Sequence, residues 1–206
     1  MFYFVKTPWL LKKFYSGCIW SINTDKKIVY LTFDDGPHRE ATPFILNELK
    51  KYKAKATFFC IGKNVMAEPG IYRTILDNGH RVGNHTHHHL NGWKTKDEEY
   101  FKDIELASKH IDSNLFRPPY GRMSHFQLAH LRSSFNYKVI MWDVLSADFD
   151  QSLTGEKCAK NVTAHTKAGS IVIFHDSTKA FERLEIALPI VLNQFSEKGY
   201  VFESIF

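Results

Sequence analysis

Ionisable side chains that could carry out chemistry gather at five points along the 206-residue sequence. Each cluster comes directly after a short apolar or β-branched run, which is typical of a strand. The carboxyl ends of parallel strands meet on one face of a barrel, where barrel enzymes hold their catalytic groups. Five clusters on one rim are hard to explain by packing alone. They are Asp34-Asp35, His85-Thr86-His87-His88-His89, Arg117-Pro118-Pro119-Tyr120, Asp143 with Asp148, and His175-Asp176.

The histidine-rich cluster has the spacing of a metal site. His85 and His89 are four residues apart, which on a helical turn would direct both imidazole rings to one side. Catalytic zinc sites use three protein ligands and leave one position open for water, and Asp35 can supply the third ligand. We therefore predict one divalent metal ion on Asp35, His85 and His89, with Zn²⁺ expected ahead of Co²⁺ or Ni²⁺. His87 and His88 are expected to point elsewhere and to have supporting roles.

The remaining clusters offer acid and base groups. Of two adjacent carboxylates after a strand, one can bind metal while the other faces the substrate, where it is a suitable general base. Arg117 could pair with this base and keep it ionised, and His175 could serve as general acid. Asp148 is the best-placed carboxylate to orient His175, with Asp143 and Asp176 as competitors. Taken alone, each residue also fits an ordinary role in a turn, an ion pair or the core.

Alternating segments must position these clusters. Short β-rich runs alternate with amphipathic, helix-like segments, which indicates an α/β fold, either doubly wound or a barrel. Several strands are continuous apolar runs, as expected for a parallel sheet that is covered on its outer face. The first strand leads into Asp-Asp-Gly-Pro, which disfavours the Rossmann and P-loop folds. The predicted strands are residues 27–33, 57–61, 81–84, 115–117, 137–142, 170–174 and 200–202.

The composition is that of one folded domain. Hydrophobic residues make up 44% of the chain and charged residues 24%, which excludes the disordered, collagen-like and coiled-coil classes. No stretch of the sequence has the length and apolarity of a membrane span. The net charge is +5, but the lysines are dispersed without a nucleic-acid-binding motif, so we expect no nucleic-acid partner. The three cysteines provide neither a disulfide framework nor a metal knuckle.

The first 25 residues precede the clusters, and we expect them to form an extension packed on a single domain of residues 1–206. The start is apolar, but it lacks a basic segment before the apolar run and a cleavage site after it, unlike a secretory leader. A cytoplasmic location is therefore the default expectation. Within this extension, Phe2, Phe4, Trp9 and Leu10 are predicted to pack against the domain.

Four motifs resemble those of the NodB-homology polysaccharide deacetylases, carbohydrate esterase family 4. They are Thr32-Phe-Asp-Asp-Gly-Pro37, His85-Thr-x-x-His89, Arg117-Pro-Pro-Tyr120 and Ile173-Phe-His175. The resemblance runs from about residue 26 to the end of the chain. It implies a distorted, TIM-like (β/α) barrel with fewer than eight repeats, in agreement with the seven predicted strands. It also implies a metal-dependent hydrolase that removes acetyl groups from N-acetylglucosamine units of a chitin-like or peptidoglycan-like glycan.

The resemblance also implies a role for each matching residue. The metal ligands are the three already predicted, Asp34 resembles the general base, and Arg117 resembles the arginine that orients it. The backbone N–H of Tyr120 resembles an oxyanion-hole donor. His175 resembles the general acid, and Ile173 takes the place of a leucine that lines the acetyl pocket.

The fourth family motif, Asp-x-x-Asp-Trp, is altered in this chain. Asp148 retains the carboxylate that holds the catalytic histidine, whereas Leu145 replaces the first aspartate and Phe149 replaces the tryptophan. Phe149 is still apolar and planar, so we expect it to contact substrate. These changes bear on substrate preference more than on the reaction.

Three other functions fit parts of the pattern. The first is a related barrel amidase or deformylase that acts on a small or lipid-linked substrate. The second is a non-catalytic glycan-binding domain, which would be expected to have lost a base or a ligand. The third is a 2-His-1-carboxylate iron oxygenase, whose ligand types match but which has no evident use for the paired aspartates.

Overall fold

Strands and helices alternate along residues 3–206, which are the residues that the computed structural model describes. The strands are β1 (Ile28–Asp34), β2 (Thr57–Cys60), β3 (Arg81–Asn84), β4 (Leu115–Phe116), β5 (Lys138–Val139), β6 (Val144–Leu145), β7 (Ile171–His175) and β8 (Val201–Phe202). The helices are α1 (Trp9–Phe14), α2 (Ala41–Lys51), α3 (Gly62–Ala67), α4 (Pro69–Asp77), α5 (Asp97–Ser108), α6 (His125–Ser133), α7 (Gly155–His165) and α8 (Thr178–Glu197). A short 3₁₀ turn covers Pro119–Gly121.

The strands form one parallel sheet in the order β5-β4-β3-β2-β1-β7-β6, and β8 pairs with the start of β1. The two ends of this path, β5 and β6, are not paired with each other, so the seven strands make a curled, open half-barrel. The predicted α/β, TIM-like barrel with about seven strands is confirmed. None of the helices described in residues 3–206 combines the length and apolarity needed to cross a membrane.

The central strand β1 shows how the sheet separates core from site. Val29, Leu31 and Phe33 are fully buried and pack in one cluster with side chains of the surrounding helices. The residues between them point to the other face of the sheet because side chains alternate along a strand. Tyr30 lies there in a second apolar cluster, and Asp34 ends the strand on the same face. The barrel interior therefore becomes polar toward the carboxyl ends of the strands.

The predicted strand over residues 137–142 is wrong in its extent. The chain instead forms β5 and β6, which pair with β4 and β7 at opposite ends of the sheet. Between them, the carbonyl oxygens of Ile140 and Met141 accept hydrogen bonds from the buried guanidinium of Arg117, at 3.1 and 3.0 Å. These carbonyl groups satisfy a buried charge rather than a neighbouring strand, so the ladder ends there.

The N-terminal segment lies beside the open side of the sheet. Single β-bridges join Lys6 to Val144, Ile19 to Ile140, and Ser21 to Ser170. Cys18 and Trp20 are buried in an apolar cluster beneath this segment. These bridges attach the N-terminal segment to the strands on both sides of the gap between β5 and β6.

Of the apolar side chains predicted to pack against the domain, Trp9 and Leu10 are largely exposed. Phe4, Trp9 and Leu10 are 48%, 71% and 64% exposed, and Phe2 lies outside the described residues. No residue of the six-residue helix α1 is buried. Beside the buried Cys18 and Trp20, polar contacts anchor the segment, because Lys6 and Lys12 reach a carboxylate that the apolar pattern could not reveal.

That carboxylate is Asp143, which is 1% exposed. It forms ion pairs with Lys6, at 2.6 Å, and with Lys12, and it accepts a hydrogen bond from Ser170 Oγ at 2.7 Å. Burial would raise the pKa of Asp143, but these donors hold its pKa below the ordinary value. Asp143 therefore fixes the N-terminal segment and does not contact His175.

We expect Asp143→Asn to lower the free energy of unfolding by about 1–2 kcal/mol, because a buried acceptor loses its charge while its lysine partners stay partly hydrated. Urea denaturation would measure the change. Asp77→Asn, which breaks an exposed pair with Arg73, is the matched control and should cost less than about 0.5 kcal/mol. Equal effects of the two substitutions would contradict the anchoring role.

Candidate active site and metal centre

The carboxyl ends of neighbouring strands bring the predicted site residues together. Asp34 and His175 end β1 and β7 and face each other in register. His85 follows β3 directly, and Arg117 follows β4. Asp148 comes three residues after β6 and reaches His175. Apart from Asp143, which precedes β6 and binds the N-terminal segment, the clusters recognised in the sequence thus lie on one rim of the half-barrel.

Asp35, His85 and His89 form a cluster that could hold a metal ion. One potential ligand atom from each residue lies within 4.8 Å of the others. Nε2 of His89 is 3.2 Å from Oδ1 of Asp35, and Nε2 of His85 is 3.8 Å from the same oxygen. Asp35 and His89 are partly exposed and His85 is buried, so the cluster is open to solvent on one side. Three ligands with one open side are the arrangement of a catalytic zinc site.

The chemistry of these side chains fits a cation. Oδ1 of Asp35 is buried and accepts no hydrogen bond from any described residue. Burial alone would raise the pKa of Asp35, but the imidazoles of His89, His175 and His85 hold its pKa well below the ordinary value. An ionised carboxylate oxygen without a donor, facing two imidazole nitrogens, is a site that a divalent ion would satisfy.

The imidazole of His85 is set up as a neutral ligand. Its Nδ1 lies 2.7 Å from the carbonyl oxygen of Arg117 and must donate to it, which leaves the lone pair on Nε2 facing Asp35. Burial lowers the pKa of His85 to about 4, against the opposing charge of Asp34. The nitrogen that faces the carboxylates is therefore free to bind a metal at neutral pH.

The two histidines do not lie on a helical turn, as the spacing had suggested. The chain from His85 to His89 is irregular, and Thr86 and His89 take left-handed backbone conformations, with φ of 64° and 59°. The ring centroids of His85 and His89 are 5.1 Å apart nonetheless. A turn with two left-handed residues gives the convergence that was expected from helical geometry.

Asp34 is held by a fully buried arginine. Nη1 of Arg117 donates to Oδ1 of Asp34 at 2.6 Å and to Oγ1 of Thr32 at 2.7 Å. The guanidinium also lies over the ring of Phe59, 4.0 Å from its centroid. The other oxygen of Asp34 points toward His85 Nε2, 3.8 Å away. One carboxylate oxygen is thus fixed while the other faces the metal cluster.

His175 is held by Asp148 on the opposite side of the cluster. One oxygen of Asp148 accepts the backbone N–H of His175 and the other pairs with Nδ1 of its ring, both at 2.7 Å. Burial would lower the pKa of His175, but the Asp148 carboxylate outweighs this and raises the pKa to about 9. His175 is therefore an imidazolium at neutral pH, as a general acid requires.

The three residues predicted to contact substrate are placed differently from one another. Tyr120 is 52% exposed, has φ of 60°, and its hydroxyl lies 3.1 Å from Nδ1 of His89. The ring of Phe149 packs edge-on to His175 at 5.3 Å. Ile173 is 2% exposed and packs with Leu145 beneath this ring. Tyr120 thus lies at the mouth of the site, and Ile173 lies in its wall.

Two side chains support the backbone around Asp35: Asp176, which the sequence offered only as a competitor for His175, and Asn64, which sequence reasoning missed. Asp176 points away from the ring of His175 and accepts the N–H of Gly36 at 2.9 Å, and a β-carbon on Gly36 would lie only 1.9 Å from this carboxylate. Nδ2 of Asn64 donates to the carbonyl of Asp35 at 2.7 Å. The available signal for Asn64 was a polar residue four positions after the end of β2, within α3.

A cavity of about 400 Å³ opens beside the metal cluster. Asp35, His89, Lys63, Asn64 and Thr178 are among the residues that line it. Its size suits a sugar substituent or a small ring, and its lining is polar. A substrate could therefore reach the open side of the cluster.

Comparisons with known proteins agree with this geometry. A family model described as polysaccharide deacetylase matches residues 21–139. A peptidoglycan-N-acetylglucosamine deacetylase of Bacillus cereus is 32% identical over 192 residues, which cover 90% of each chain. A chitooligosaccharide deacetylase of Azorhizobium caulinodans is 32% identical over 75% of this chain and 76% of its own. The crystal structure of a peptidoglycan N-acetylglucosamine deacetylase with a substituted N-oxidanyl-benzamide has a TM-score of 0.86, with 31% identity, over 97% of this chain and 95% of that one.

We expect the wild-type protein to bind about one zinc ion per chain, and His85→Ala to lose it, because three protein ligands are needed to hold the ion. Elemental analysis after dialysis against zinc would measure this. His125→Ala removes an exposed histidine remote from the cluster and is the matched control, with metal content unchanged. Equal metal content in the wild type and His85→Ala would show that the cluster is assigned wrongly.

Proposed function

This chain belongs to the polysaccharide deacetylase family, and we propose that it hydrolyses the acetamide of N-acetylglucosamine units in a glycan. The family makes it a hydrolase that acts on a C–N bond outside peptides. The glycan is chitin-like or peptidoglycan-like, since relatives named for either substrate are similar over most of their length.

One observation carries the proposal. A carboxylate paired with arginine and a histidine paired with a carboxylate face the same three-residue cluster from adjacent strands. The first pair favours an anion that can accept a proton, and the second favours a cation that can donate one. Hydrolysis of an amide needs both, because water must lose a proton and the departing amine must gain one.

Asp35, His85 and His89 would hold the divalent ion, which we propose to be Zn²⁺. When bound, this ion would polarise the acetyl carbonyl and make water in the site easier to deprotonate. The mixed carboxylate and imidazole donor set suits Zn²⁺, and Co²⁺ or Ni²⁺ would also be accepted.

The protein's own residues move the protons. Asp34 takes a proton from the attacking water through the oxygen that Arg117 leaves free. Arg117 pairs with Asp34 and orients it. As the tetrahedral intermediate collapses, the C–N bond breaks and His175 gives its proton to the leaving nitrogen. Asp148 holds the ring of His175 in place for this transfer.

The backbone N–H of Tyr120 is proposed to stabilise the developing oxyanion, a role that preorganised donors fill in acyl transfer. Ile173 and Phe149 would line the pocket for the acetyl methyl group, which an apolar wall accommodates. The packing of Phe149 against His175 supports this placement. Leu145 replaces a family aspartate, but it packs with Ile173 in the same apolar cluster.

The alternatives are less well supported. A non-catalytic glycan-binding domain would not need a paired base and a paired acid, and both are retained here. In an iron oxygenase, the Arg117–Asp34 pair would have no evident role in the reaction. A related amidase or deformylase would use the same residues on a smaller substrate, so only a substrate comparison separates it from a glycan deacetylase.

We expect the zinc-loaded protein to release acetate from chitooligosaccharides or from peptidoglycan, and Asp34→Asn to lower kcat by about 10²–10⁴-fold because it removes only the base. Enzymatic quantification of acetate, with and without added zinc, would measure this. Metal content is the control and should be unchanged in Asp34→Asn. No acetate from either glycan, or a near-normal kcat in the variant, would contradict the proposal.

We expect kcat/KM to fall as pH rises through about 9, the pKa of His175, because only the imidazolium can protonate the amine. Asp148→Asn removes the carboxylate that raises this pKa, so the basic limb should move to lower pH and kcat should fall. A pH–rate profile would measure both. Asp143→Asn is the control, and a shift in that variant instead would transfer the role to Asp143.

A further inference from the structure

A buried carboxylate outside the proposed metal site forms hydrogen bonds with the chain between His85 and His89. Asp103 lies on α5 and is 7% exposed. Its Oδ2 accepts the backbone N–H groups of both His87 and His88, at 2.8 and 2.9 Å. Its Oδ1 lies 2.5 Å from Nδ1 of the His88 ring. All three contacts fall on His87 and His88, two of the three residues that separate His85 from His89 in the sequence.

The segment between His85 and His89 needs hydrogen bonds that hold its backbone conformation. Thr86 and His89 have φ of 64° and 59°, and left-handed conformations are unfavourable for residues with a β-carbon. Conformations of this kind persist only where the surroundings hold them in place. Without the carboxylate, the backbone could relax toward ordinary dihedral angles, and the ring of His89 would move away from that of His85.

The other bonds to this segment come from neutral groups. Asn84 Oδ1 accepts the N–H of Thr86 at 2.8 Å, and Thr86 Oγ1 accepts the N–H of Leu90 at 3.2 Å. Asp103 instead accepts two N–H groups on one oxygen. Among the described residues, it is the one side chain that accepts backbone N–H groups from two residues of this segment.

We propose that Asp103 is a positioning residue for the metal site, which sets metal affinity by fixing the backbone between His85 and His89. It touches neither the metal ligands' side chains nor the substrate cavity, so it acts only through the segment that it holds. This role also accounts for His87 and His88, whose backbone groups are needed even though their rings are not ligands. The inference rests on the proposed metal-dependent function.

The test is the zinc affinity of the full chain without substrate, measured by competition with a chromophoric chelator at a temperature where circular dichroism shows every variant folded. Asp103→Ala should weaken zinc binding by about 10–100-fold, as loss of groups that orient metal ligands commonly does. Asp103→Asn keeps an oxygen that can accept both N–H groups and should stay within about threefold of the wild type. The visible spectrum of the Co²⁺ form should change in Asp103→Ala and not in Asp103→Asn.

Glu105→Gln changes an exposed acid on the same helix and is the control, with no change in affinity. Asp103→Ser also removes the carboxylate but lets water enter the site of the lost group. If Asp103→Ala does not fold, Asp103→Ser replaces it, with the same expected loss of zinc affinity. Zinc binding within threefold of the wild type in the alanine or serine variant would overturn the proposal. So would equal losses in Asp103→Ala and Asp103→Asn, or a wild type that binds no zinc. A wild type that binds zinc but releases no acetate would contradict only the proposed function.

Discussion

The buried guanidinium of Arg117 sets the conditions that the rest of the site must meet. It is fully enclosed, and its N–H groups donate to an aspartate, a threonine and two backbone carbonyls. An uncompensated charge at this depth would be strongly destabilising, so the guanidinium needs the Asp34 carboxylate beside it. The two carbonyls belong to Ile140 and Met141, and their use by Arg117 coincides with the break between β5 and β6. Arg117 therefore contacts both Asp34, the proposed general base, and the segment at which the half-barrel opens.

The site divides into two ion pairs with opposite consequences for protons. Arg117 stabilises the charged form of Asp34, and Asp148 stabilises the charged form of His175. Environments that push neighbouring groups toward different protonation states are how one site supplies both an acid and a base at the same pH. The parallel register of β1 and β7 places these groups opposite each other, so the sheet itself fixes their separation.

The sequence was sufficient to locate the site but not to describe its local geometry. Polar clusters after apolar runs predict strand ends, because the apolar strands and the polar rim arise from the same burial pattern. The same reasoning placed His85 and His89 on a helical turn, but the chain forms a turn with two left-handed residues. A spacing of four residues in the sequence is compatible with either conformation. It also predicted that Trp9 packs against the domain, whereas Trp9 is largely exposed and Lys6 and Lys12 hold the N-terminal segment to Asp143, more than 130 residues away in the sequence. Contacts of that range leave no periodic signal.

Backbone strain in this protein is concentrated where the side chains must converge. Seven non-glycine residues among those described have positive φ, and five of them lie at the site. The other two are Lys53 and Asn136. At Asp35 and His89, glycine would relieve the strain but could not supply the carboxylate or the imidazole that we propose binds the metal. Each such residue costs roughly 1–2 kcal/mol, which the surrounding hydrogen bonds must offset. The groups that hold the backbone are therefore as necessary to the site as the ligands, and a rim built only from correct ligand types would not keep its geometry. The five residues are Asp35, Thr86, His89, Tyr120 and Ala147.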